Sequence, residues 1–90
     1  MYRTFMWQET KRINVFRFQT NDPDVIKRAN QRKDFKLTAY SLVSNLRIYR
    51  GTFFNLKSAC RTLGRISGSK VQKDTTEGVY VAYSGAIVDR

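Results

Sequence analysis

INVFRFQTNDPDVIKRA, residues 13–29, decides the fold class. Its first seven residues, Ile13 to Gln19, are rich in β-branched and aromatic types and read as a strand, with Phe16 and Phe18 sharing one face by the period of two. Thr20-Asn21-Asp22-Pro23 breaks that strand and opens a helix. Asp22 can accept a bond from the first turn, Pro23 suits the first helical position, and Asp24 complements the helix dipole. The helix is predicted to run to about Lys33, with Val25, Ile26 and Ala29 turned inward.

Upstream, Tyr2 to Gln8 mixes aromatic and polar residues as a strand does, and Glu9-Thr10-Lys11-Arg12 can close a hairpin onto Ile13. Downstream, Phe35 to Val43 alternates, with Phe35, Leu37, Ala39, Ser41 and Val43 on one side and Lys36, Thr38, Tyr40 and Leu42 on the other. Leu46 to Arg50 alternates again, and Ser44-Asn45 reads as a tight turn because Asn tolerates positive φ. Gly51-Thr52 is expected to end that strand. Thr52 can cap a helix over Phe53–Leu63 with Leu56, Ala59, Cys60 and Leu63 inward and Gly64 as its stop. Val71–Lys73 and Val79–Tyr83 are predicted strands around an Asp74–Gly78 turn, followed by an extended piece at Ala86–Val88.

The order is therefore β-β-α-β-β-α-β(β), and strands joined by short turns argue for α+β with a mainly antiparallel sheet and two helices. From Ile13 the same order can be drawn as a ferredoxin-like βαββαβ with an extra N-terminal strand. No repeat, low-complexity tract or linker interrupts residues 1–90, which read as a single basic α+β domain.

Composition narrows the chemistry. Seventeen Lys and Arg oppose seven Asp and Glu, a net charge of +10. Sixteen of the basic groups and only four of the acidic ones fall in residues 1–73. Such an excess is self-repulsive unless a polyanion or an acidic partner uses it. The chain has no His, which removes Ser-His-Asp, Cys-His and His-ligated metal chemistry. Cys60 is alone, so no internal disulfide or Cys cluster is possible, and its place beside Ala59 reads as a packed, inert thiol. The acids are sparse and better explained by helix initiation and turns. No enzyme, cofactor or metal is expected. Neither a signal peptide nor a membrane span is legible, so the expected location is cytoplasmic.

Three groups of residues are candidate binding elements. Lys27, Arg28, Arg32, Lys33 and Lys36 place five cations in ten residues, a stripe able to track phosphates, although a solvated helix face has the same composition. The ribbon from Lys36 to Arg50 interleaves Lys36, Arg47 and Arg50 with Tyr40 and Tyr49, and cations beside rings suit nucleic acid. In the second helix, Lys57, Arg61 and Arg65 recur every four residues opposite the apolar face.

Residues 15–19, VFRFQ, invite comparison with the aromatic strands of RNA-recognition domains, but without the glycine-containing consensus Phe16 and Phe18 read as core. Residues 48–63, IYRGTFFNLKSACRTL, resemble the strand–Gly–Thr–Phe–helix segment of integrase arm-type DNA-binding domains, in which the sheet enters the major groove. Residues 55–73, NLKSACRTLGRISGSKVQK, also resemble a helix-turn-helix, with Cys60 and Gly64 as the small residue and turn glycine and Val71 anchoring a second helix. These resemblances favour DNA over RNA.

The expectation is a small, non-enzymatic, regulatory or accessory nucleic-acid-binding protein, using Arg28, Arg32, Lys33, Lys36, Arg47, Arg50, Lys57, Arg61 and Arg65, with Tyr40 and Tyr49 for stacking. The alternative is a protein-binding module or inhibitor, of the kind phages encode, docking on an acidic or nucleic-acid-binding protein through Tyr2, Phe5 and Trp7. A particle-associated structural protein is a third reading. An exposed C-terminal strand can also pair two copies into a homodimer.

Overall fold

The computed structural model describes residues 1–85. Strands β1 (Tyr2–Thr10) and β2 (Ile13–Thr20) form a hairpin closed by Lys11-Arg12. Helix α1 (Pro23–Asn30) follows, then the hairpin β3 (Phe35–Tyr40) and β4 (Arg47–Thr52), helix α2 (Leu56–Ser67), and the hairpin β5 (Val71–Lys73) and β6 (Val79–Ser84). All strands pair antiparallel into one sheet of order β3-β4-β2-β1-β6-β5. The fold is the α+β class expected. β2, α1, β3 and β4 make the split βαβ unit, and β1 lies inside the sheet between β2 and β6.

Both helices cover one face. Phe16, Phe18, Met6, Tyr49 and Ala82 project from the sheet into a core closed by Val25 and Ala29 of α1 and by Ala59, Leu63 and Ile66 of α2. Phe35 packs on Phe18 with ring centroids 4.8 Å apart, and Phe53 sits edge-on to Phe16, Phe18 and Phe35. The core reading of Phe16 and Phe18 is met: both are fully buried. Gly51 lies within β4 rather than ending it. A Cβ there would stand 2.8 Å from the Phe53 ring and 3.0 Å from the Asp34 carbonyl oxygen, so a glycine is what allows Phe53 to close the core.

Asp22 caps α1 as expected, its Oδ1 accepting from Asp24 N at 2.9 Å. Its Oδ2 accepts from Ser84 Oγ at 2.5 Å, and Thr20 Oγ1 accepts from Asp22 N while bonding Thr4 Oγ1 at 3.0 Å. This buried polar chain ties β1, β2, β6 and α1 together. α1 stops at Asn30, short of Lys33, as the N–H groups of Gln31 and Arg32 reach back to Arg28 and Ala29 and the chain turns to deliver Phe35 to the core.

Four further expectations are corrected. Helix α2 begins three residues later than Phe53, because Phe53 N donates to Asn14 O and Asn14 Nδ2 donates to Phe54 O, holding that stretch against β2. Asn55, not Thr52, is the cap, paired reciprocally with Ser58. The helix runs through Gly64 to Ser67, since Ile66 extends its buried stripe, and stops at Gly68 with φ 67°. Residues 71–73 are a strand, so the helix-turn-helix reading fails.

In β3 the register shifts between Leu37 and Ala39, which inverts the faces beyond it, and the hairpin loop spans residues 41–46 rather than two. Asn45 does adopt positive φ, at 57°. The C-terminal strand β6 is interior. The sheet edges are β3 and β5. Ala86–Val88 lies outside the described residues.

Candidate nucleic-acid interface

Strict alternation sends every second side chain to the face that no helix covers. On β1 these are Arg3, Phe5, Trp7 and Glu9, opposite the buried Thr4 and Met6. On β2 they are Val15, Arg17 and Gln19, opposite Phe16 and Phe18. On β4 they are Ile48 and Arg50, flanking the buried Tyr49. Register then aligns Lys36 of β3, Arg50 of β4, Arg17 of β2, Trp7 of β1 and Val79 of β6 as one row across five strands. The adjacent row carries Ile48, Gln19, Phe5 and Val81, and Arg3 pairs beyond it with Tyr83.

Glu9 is the single acid in this field. Its Oε2 accepts from Arg17 Nε at 2.7 Å and from Arg50 Nε at 2.8 Å. Those bonds, first Arg50 and then Arg17, hold the Glu9 carboxyl below its ordinary pKa, and Glu9 in turn raises Arg50. Like charges directly opposite on neighbouring strands repel, and the shared carboxylate offsets that repulsion between Arg17 and Arg50. Four cations against one acid leave the face at net +3. Among the described residues Arg17 donates only through Nε, so its Nη groups remain available to an anion.

Where the row passes Trp7 and Val79 it borders a cleft of about 520 Å³, lined also by Lys11 and Glu77 and, from the helix side, by Leu56 and Tyr80. The Arg3 guanidinium stands over the Phe5 ring, 5.7 Å from its centroid, a cation–π contact.

The residues singled out from the sequence divide between the two faces. Lys36 and Arg50 are exposed on the open sheet face. Tyr49 is not available for stacking: it is 2% exposed, its hydroxyl donates to Asn30 Oδ1 at 2.7 Å, and burial pushes the phenol pKa up. Tyr40 and Arg47 pair in register on the opposite side, beyond the reach of α1, with the Arg47 guanidinium 5.5 Å from the Tyr40 ring.

Arg28 donates from Nε to Ile66 O at 2.6 Å, which ties α1 to the end of α2. Arg32 is engaged by both Asp34 oxygens and lies over Phe35. Its pKa is raised and that of Asp34 lowered, chiefly by their mutual hydrogen bonds. Lys33, Lys57, Arg61 and Arg65 are exposed on the helix side. Cys60 packs against the core, and burial raises its thiol pKa.

Arg3 and Arg17 escaped the sequence reading as binding residues. The signal was present for Arg17, which sits between two core phenylalanines and must face away from them. Among the described residues there is no group of three His, Cys, Asp or Glu able to hold a metal, and no helix long and apolar enough to cross a membrane. Compared with protein-family models, curated proteins and solved structures, the chain finds no match in any of the three.

Proposed function

We propose that this chain is a small, non-enzymatic nucleic-acid-binding protein of regulatory or accessory type, acting within the cell and engaging its ligand through the open face of the sheet. The observation that carries the reading is the row Lys36–Arg50–Arg17–Trp7, where three cations and an indole lie side by side on a surface that no helix covers. Phosphates exchange their condensed counterions for such cations, and rings beside them accept bases. Arg28, Lys33, Lys57, Arg61 and Arg65 on the helix side add to the long-range field that draws a polyanion in, with Arg47 at the hairpin.

The test compares two double variants by anisotropy across a salt series, on labelled oligonucleotides of one length. Arg17→Gln with Lys36→Gln removes two cations from the sheet face; Arg61→Gln with Arg65→Gln removes two from the helix face. Losing two phosphate contacts lowers the log–log salt slope by about 1.4–1.8. The sheet pair is expected to show that loss and the helix pair a smaller one. An unchanged slope in the sheet variant overturns the reading.

A second reading, docking on an acidic protein, draws support from the β3–β4 loop, where Leu42 and Val43 are 90% and 97% exposed, and from the exposed Phe54. Co-purification of one acidic protein, lost on Leu42→Ser with Val43→Ser, would favour it.

A further inference from the structure

We infer that the open face is built for a single-stranded nucleic acid laid across the strands, with phosphates on Lys36, Arg50 and Arg17 and bases stacked on Trp7 and Phe5. This rests on the nucleic-acid reading and deepens it.

Width is the first argument. Six strands make five interstrand spacings, about 24 Å in all. A B-form major groove is about 12 Å wide. Arg17 and Trp7 stand on β2 and β1, the two central strands, so a groove cannot receive the whole face with its middle row. A flexible single strand meets no such limit.

The second argument is chemical. Cations cluster at the β3–β4–β2 end of the row and rings at the β1–β6 end, as Trp7 and Phe5 are two residues apart on one face of β1. In a duplex the bases are stacked on one another and closed to such rings. In a single strand every base offers a π-face. Arg3 beside Phe5 adds a cation to the same platform.

Trp7 is the only tryptophan in the chain, so its emission reports on the site directly. The full-length protein is titrated with a twenty-nucleotide oligothymidine, its RNA equivalent and a duplex of equal length at several salt concentrations. The oligothymidine is expected to bind about tenfold more tightly than the duplex and to quench Trp7 emission. Read by anisotropy of the labelled strand, since neither variant keeps the emitting indole, Trp7→Leu should cost the single strand about tenfold, with Trp7→Phe, which keeps a ring, recovering most of it. Circular dichroism of each variant checks that the sheet is intact.

Duplex binding equal to or tighter than single-strand binding overturns this inference and leaves the nucleic-acid reading standing. The oligothymidine and its RNA equivalent, compared with one another, identify which backbone the face takes. Binding to none of the three overturns both readings together.

Discussion

Arg17 and Arg50 face one another in register across β2 and β4, and the Glu9 carboxylate accepts the Nε of each, at 2.7 and 2.8 Å. The acid holds two repelling cations in place and, at the same time, occupies the ground a phosphate would take. Stability and binding therefore pull in opposite directions at Glu9. Glu9→Gln is expected to tighten oligonucleotide binding by about two- to fivefold, the scale of one exposed charge interaction. The salt slope should steepen while the midpoint of urea unfolding falls. Weaker binding in this variant would show that Glu9 serves to aim the guanidinium groups and does not compete with a phosphate.

The same contact predicts a pH dependence. The Glu9 and Asp34 pKa values are lowered in the folded chain by their arginine partners. Their stabilising contribution is present above the unfolded carboxyl pKa, about 4, and is lost as pH falls through the depressed folded value. Stability should decline below about pH 4. Glu9→Gln combined with Asp34→Asn should make that decline shallower, measured as urea midpoints from pH 6 to pH 2. Oligonucleotide affinity should rise on the way down for as long as the fold holds, because protonating Glu9 releases Arg17 and Arg50.

Gly51 carries a packing prediction. With the Phe53 ring at 2.8 Å and a backbone oxygen at 3.0 Å from a Cβ position, one added methyl must displace the ring that closes the aromatic core. Gly51→Ala should lower stability by about 1–3 kcal/mol, the usual cost of overpacking. Gly64→Ala is the control: its Cβ would meet only ordinary contacts at 3.6 and 3.7 Å. In a helix interior alanine is favoured over glycine by about 0.8–1.0 kcal/mol, so that variant should be neutral or stabilising. Thermal melts of the two variants decide the matter, and equal losses would contradict the assigned role of Gly51.

Much of this architecture is legible in the residues because it is local. Alternation through Phe16, Arg17 and Phe18 assigns the two faces of β2, and Asp22-Pro23 announces α1. Errors arise where a single position carries long-range information. The register shift between Leu37 and Ala39 inverts the parity of β3, and no residue there announces it. Gly64 looks like a stop because glycine commonly is one, yet Ile66 needs the helix to continue so that it can reach the core. Arg47, Ile48, Tyr49 and Arg50 contain an apolar candidate for either face, and only the pairing of Tyr49 with Phe18 decides between them. The row proposed to bind joins five strands drawn from residues 7 to 79, a juxtaposition set by strand order rather than by any motif.

The last prediction concerns the buried polar chain that holds the sheet to α1. Asp22 caps the helix through Oδ1 and accepts from Ser84 Oγ through Oδ2, while its N–H donates to Thr20 Oγ1. Asp22→Ala removes a cap of about 1 kcal/mol and strands the buried Ser84 hydroxyl, which costs about 1–3 kcal/mol more. Asp22→Ser keeps a capping oxygen but has only one, so it should lose less. Ser84→Ala leaves the cap in place but strands the buried Asp22 Oδ2, so it should cost less than Asp22→Ala, which loses the cap as well. That order, read from urea midpoints, separates capping from burial. Equal losses for Asp22→Ala and Asp22→Ser would mean that the cap contributes nothing and that the link to β6 is the whole effect.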